Sequence, residues 1–152
     1  MSNNSYYNDQ WRIINESNQN KVSNYCMEFG GSNIISVSPE VDLGINSTVS
    51  IWVNRSVNSN IVLIGNSLVS NYLLYIEPTT IYVRINTIFK TFTNSMVLNQ
   101  WYNIILVRNG DSIEVFQNGN SIGTQSGYGT TFTTKISTIG AKPAGAFSFV
   151  GL

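Results

Sequence analysis

Residues 101–124 read WYNIILVRNGDSIEVFQNGNSIGT. Trp101–Arg108 is rich in aromatic and β-branched residues, which fit a pleated surface. Asn109-Gly110 follows, two residues that tolerate the positive φ of tight primed hairpin turns. Ser112–Gln117 is a second run, Asn118-Gly119 a second turn and Asn120–Thr124 a third run. Two Asn-Gly dipeptides between apolar runs predict a three-stranded meander. Its turns would fix the pairing register, so the remaining strands must add around it.

The same stretch resembles the laminin-G-like pattern of the concanavalin A-like lectin/glucanase group. The resemblance is carried by Trp101, Ile104, Leu106, Val107, Arg108, Gly110, Ile113, Val115, Phe116, Gly119, Ile122, Gly123 and Thr124. Cys26–Ser32 (CMEFGGS) is similar to that family's first core strand and turn, and Ser47–Asn54 (STVSIWVN) to its Trp-containing strand. The resemblance implies a fold. It does not by itself imply a function, because the fold hosts lectins, enzymes and adhesive modules.

Working outward, period-two alternation predicts further strands. Tyr25, Met27 and Phe29 share one face of a first strand, and Ile34–Val37 is a short strand ended by Pro39. In Ser47–Asn54, Val49, Ile51 and Val53 oppose Ser50 and Trp52. Apolar residues on both sides predict a central strand, with Trp52 and Trp101 as core. Ile61–Gly65, Tyr72–Ile76, Ile81–Ile85, Ile88–Thr93, Thr133–Ile139 and Phe147–Leu152 complete the set. No segment has a helical period. Short strands at this spacing predict an all-β antiparallel sandwich of jelly-roll type over residues 25–152. By resemblance, Phe149-Val150-Gly151 opens a last strand that the 152 residues do not complete. Residues 1–24 are polar apart from Trp11–Ile14. They read as an arm, and the alternatives are an edge strand of the domain, a segment docked into a neighbouring subunit, or disorder.

Composition narrows the function classes. Charged residues are 11% and the net charge is zero, with 21 Asn, 19 Ser and 12 Thr supplying polarity instead. Nucleic acid and anionic membranes are captured by clustered positive charge, so neither is an expected partner. The chain has no histidine, which removes Ser-His and Cys-His pairs and imidazole metal ligands. Cys26 is the sole cysteine, so no disulfide forms within the chain. The N-terminus lacks the basic start and apolar core of a Sec signal, and no run approaches the roughly 20 apolar residues of a membrane span. An Asn-rich, uncharged surface predicts an extracellular or virion-surface location.

Candidate chemistry is sparse. The family's glucan-cutting members carry Glu-x-Asp-x-x-Glu on one strand. The nearest match, Glu40-Val41-Asp42, has Ile45 in the third position and falls in a predicted loop, so no catalytic residue is assigned. Calcium is the group's common cofactor by resemblance. Asp42 is the weak candidate ligand, and the Asp usual after the first core strand is Gly30 here. Asp111 reads as a turn cap. Sugar recognition uses exposed aromatic faces with nearby hydrogen-bonding side chains. Tyr75, Tyr82 and Arg84 on strands, and Tyr128 in a Gly-rich loop, are the candidate ligand-binding residues. The expectation is a non-catalytic module that binds glycan or a protein surface, with no required cofactor. The alternative is a structural or decoration subunit of a virion or other large assembly, contacting neighbouring capsid-type subunits.

Overall fold

The structure, a computed structural model, describes residues 26–67, 71–143 and 148–151. The expectation for the arm at residues 1–24 lies outside them. The described chain forms twelve strands: β1 (Phe29–Gly30), β2 (Ile35–Leu43), β3 (Asn46–Asn54), β4 (Ile61–Asn66), β5 (Asn71–Ile76), β6 (Thr80–Ile85), β7 (Ile88–Thr93), β8 (Trp101–Asn109), β9 (Ser112–Gln117), β10 (Asn120–Gln125), β11 (Thr134–Ile139) and β12 (Val150–Gly151). A four-stranded sheet runs β10-β9-β8-β3 and a six-stranded sheet runs β2-β11-β4-β5-β6-β7, every pair antiparallel. β1 and β12 form a short separate ladder.

The meander is present as β8-β9-β10. Its second turn matches the expectation, with Asn118 and Gly119 at φ 51° and 79° as a type I′ turn requires. Its first turn is shifted by one residue. Asn109 pairs with Ser112, so Gly110 and Asp111 are the central pair and Gly110 alone has positive φ, at 58°. A glycine in the first central position is the type II′ arrangement.

The core lies between the two sheets. Period two places Ile104 and Leu106 of β8, Ile113 and Val115 of β9, and Ile81, Val83 and Ile85 of β6 in one buried cluster. β4 is buried at every position and is flanked by β11 and β5.

Four local expectations are corrected. Residues 26–28 are not in a strand, and only Phe29–Gly30 pairs there. Pro39 does not end β2, because β2 is an edge strand and Pro39 sits where its register with β11 shifts, so no ladder donor is missed. Among the described residues β3 stands at the end of its sheet, with β8 as its strand neighbour, where a central position was expected. Trp52 and Trp101 are not core. They lie on the outer face of the four-stranded sheet, 64% and 38% exposed. The apolar residues on both sides of β3 are one buried face and one solvent-facing indole.

Candidate functional site

The hairpin β5-β6 brings Tyr75 opposite Tyr82, and β6-β7 brings Arg84 opposite Phe89. Alternation sends these side chains outward, since their neighbours Leu74, Ile76, Ile81 and Val83 fill the core. The rings form a row. Tyr72 and Tyr75 stack at 4.9 Å and 27°. Tyr75 and Tyr82 tilt at 5.4 Å, and Tyr82 and Phe89 at 6.0 Å. Phe89 is 53% exposed at the end of the row.

A carboxylate is fixed beside this row. Glu77 opens the β5-β6 turn, where its N–H donates to the Thr80 carbonyl at 2.8 Å. Asn94 holds the turn from below. Its amide donates to the carbonyls of Glu77 and Pro78 at 2.7 and 3.2 Å, and its oxygen accepts from Met96 N–H. The Glu77 carboxylate then accepts from the Tyr75 hydroxyl at 3.3 Å, the Tyr82 hydroxyl at 3.1 Å and the Asn60 amide at 3.3 Å. Desolvation and then the adjacent Glu77 charge push the Tyr75 hydroxyl up to about 12. The hydrogen bond to Glu77 leads the upward shift of Tyr82. Both hydroxyls therefore stay protonated through the physiological range.

The other end of the row is cationic. The Arg84 guanidinium lies 5.8 Å from the Tyr72 ring centroid and the Lys142 ammonium 6.0 Å from it, both within cation–π range. Arg84 Nε also donates to the Asn86 carbonyl at 3.0 Å, which fixes the fork. The surface thus offers aromatic rings, one acid and two bases in a defined order.

Three of the four sequence-derived candidates, Tyr75, Tyr82 and Arg84, meet here, but against expectation Tyr75 is buried, at 9% exposure, while Tyr82 and Arg84 are half-buried. Tyr128 does not meet them. It is fully buried and its hydroxyl donates to the Val83 carbonyl at 3.2 Å. Asp111 holds its loop down by accepting from Gly127 N–H at 2.8 Å and Gly129 N–H at 2.6 Å. Those two backbone donors pull the Asp111 carboxyl below its ordinary value. Buried Arg108 adds a bond to the Gly129 carbonyl at 3.0 Å. A Gly-rich loop suggests exposure, but this one carries a core plug. Asp42 lies in β2 rather than a loop, opposite Lys135 in register and 3.7 Å from its ammonium. Glu40 lies 3.8 Å from the same ammonium. Among the described residues no three His, Cys, Asp or Glu side chains gather as a metal site.

Tyr72, Phe89, Glu77, Asn60 and Lys142 were not singled out from the sequence. Phe89 had a readable signal, because Asn86-Thr87 between Arg84-Ile85 and Ile88-Phe89 is a two-residue hairpin loop that sets Phe89 across from Arg84. Asn60 and Lys142 carried none, being joined to the row only by tertiary packing.

Comparison with known proteins bears on the fold. The family described as the concanavalin A-like lectin/glucanases superfamily, in its laminin-G form, matches residues 29–152. No curated protein sequence matches the chain. Among solved structures, mouse laminin alpha1 chain domains LG4-5 superpose with a TM-score of 0.52 at 15% identity, over 78% of this chain and 38% of that one. The chain thus spans well under half of that two-domain structure. The Ruminococcus gnavus IT-sialidase CBM40 bound to alpha2,3 sialyllactose superposes at 0.54 and 16% identity, over 78% and 84%. A heptameric SAP-like pentraxin from Limulus polyphemus does so at 0.54 and 16%, over 81% and 74%. At these identities the likeness is one of fold.

Proposed function

We propose that this chain, which belongs to the laminin-G-like part of the concanavalin A-like lectin/glucanase superfamily, is a non-catalytic recognition module that binds glycan on the outer face of its six-stranded sheet. The observation that carries the reading is the Glu77 carboxylate, held by two tyrosine hydroxyls and an amide beside a row of four aromatic rings. Sugars present apolar C–H faces and hydroxyl edges. An aromatic face takes the first, and a fixed carboxylate with amide neighbours takes the second. Because the polar groups are already ordered, binding costs little further side-chain entropy.

The superfamily contains lectins, and one of the similar folds is a module bound to sialyllactose, which supports this class of ligand. The cationic end at Arg84 and Lys142 extends the range to sugars bearing a carboxylate. No helix among the described residues is long and apolar enough to cross a membrane. The reading places the module outside the cell, where glycans are displayed.

The test is a glycan array on the folded protein, run with calcium and with chelator. Selective binding that Tyr82→Ala removes supports the site, and loss on chelation would bring calcium and Asp42 back. A flat array from folded protein overturns it.

A further inference from the structure

The dipeptide Asn-Gly occurs twice, at Asn109-Gly110 and Asn118-Gly119, and the fold treats the two differently. An asparagine followed by glycine carries its own reaction. The glycine's backbone nitrogen can attack the asparagine side-chain carbonyl carbon, because no side chain on the second residue stands in the way. The attack needs a nitrogen that can shed its proton and room for the chain to turn. Both asparagines are exposed, so access does not separate them.

At the first site the nitrogen is taken. The Gly110 N–H is shared between the Ile45 carbonyl at 2.8 Å and the Asn46 side-chain oxygen at 3.1 Å. Asn109 is the last residue of β8 and pairs with Ser112, so the ladder holds its backbone. At the second site the nitrogen is available. The Gly119 N–H has no acceptor among the described residues. Nothing lies within 4 Å of the position a Gly119 Cβ would take. The side chain to be attacked is also polarised. The Asn103 N–H donates to the Asn118 side-chain oxygen at 2.8 Å, the oxygen that gains charge when its carbon is attacked. The Asn118 N–H donates back to the Asn103 carbonyl at 2.8 Å, which keeps that donor in place.

We propose that Asn118 is a site of spontaneous deamidation and that Asn109 is not. The Gly119 nitrogen bonds to the Asn118 side-chain carbon and gives up its proton. The bond from that carbon to the side-chain nitrogen breaks, and ammonia leaves with the proton. A succinimide ring remains. Water opens it at either carbonyl, giving aspartate or its β-linked isomer. The isomer routes the main chain through the side-chain carbons and adds one atom to a two-residue loop that sets the Gln117–Asn120 pairing. β10 depends on that pairing. β9 is its strand neighbour among the described residues, and Ile122 is its one large apolar side chain. The reaction therefore loosens β10 and leaves the rest of the sandwich standing. The turn belongs to the four-stranded sheet, so the inference is independent of the glycan reading.

The experiment is mass spectrometry of the full chain aged at mildly alkaline pH, with fragmentation that resolves the two sites, followed by amide hydrogen exchange. Asn118 should gain the mass of an amide-to-acid exchange at least about tenfold faster than Asn109, since the hydrogen bonds on the Gly110 N–H add to the barrier there. In guanidinium chloride, where the fold is gone, the two sites should react alike. The aged protein should lose protection in β10. Asn118→Gly keeps a residue suited to positive φ but cannot form the ring, so it should retain that protection on ageing. Equal rates in the folded chain, or faster reaction at Asn109, overturn the proposal. So does an Asn118 that persists in the folded chain and reacts only in guanidinium chloride.

Discussion

The outer faces of the two sheets are both aromatic, yet they are built differently. On the six-stranded sheet three of the four rings sit beside a polar partner, Glu77 for Tyr75 and Tyr82 and the cations of Arg84 and Lys142 for Tyr72, with Phe89 against Tyr82 closing the row. On the four-stranded sheet Trp52 and Trp101 stand with half-buried Ile105, Val107 and Phe116. The charge there, Glu114, is engaged by the Ser121 hydroxyl at 2.6 Å. Exposed aromatic area alone marks a surface that gains from being covered. Aromatic area with ordered hydrogen-bonding groups can also choose among polar ligands. On the proposed reading the first face is the one that takes a sugar.

This contrast can be broken by experiment. The largest effect is expected from Tyr82→Ala, which removes the middle of the row. Glycan affinity should fall at least about tenfold in titration calorimetry, the loss of a good stacking contact. The paired change Trp52→Ala with Trp101→Ala should leave that affinity unchanged, and the opposite pattern would reverse the roles of the faces. Next comes Asn94→Ala. It frees the carbonyls of Glu77 and Pro78 under the turn, so urea denaturation should show a loss of about 1–3 kcal/mol, with affinity falling as Glu77 loosens. Glu77→Gln keeps the shape and removes the charge. A several-fold affinity loss with an unchanged fold would show that the carboxylate, and not the rings alone, reads the ligand.

A smaller effect sharpens the comparison through pH. Tyr75 has a folded-state value of about 12 against an ordinary 10, so the folded state favours its neutral form. Its contribution to stability is whole below pH 10 and is lost as the pH rises through 12. Phenolate absorbance should show one tyrosine titrating near 12 in the folded protein. Glu77→Gln should bring it down, because the neighbouring negative charge is gone. Smallest of all is Trp52→Ser, which should alter monomer stability by no more than about 0.5 kcal/mol in thermal melts.

Much of the fold was legible in the residues themselves. Period-two runs and Asn-Gly turns are local signals, and β4 to β10 begin and end within a residue or so of where alternation puts them. A smaller part of the site was legible for the same reason. Tyr75, Tyr82 and Arg84 alternate with core residues on two strands joined by a short turn, so their common face follows from the hairpin. Tyr128 misled because glycine spacing reports backbone freedom and says nothing of what lies beneath the loop. The core hole that Tyr128 fills is lined by β6, over forty residues earlier.

The sequence by itself therefore determined which segments are strands, which way most of their side chains alternate, and that histidine is absent and cysteine single. It did so because alternation, turn residues and composition act over a few positions or over none. Only the tertiary structure decided that β3 ends its sheet among the described strands, that Trp52 and Trp101 face solvent, and that Asn60 and Lys142 meet the row built on β5 to β7. Burial on one face of a strand does not reveal whether a neighbour closes its other side. That depends on pairing between segments some fifty residues apart, as for β3 with β8, and no local pattern encodes it.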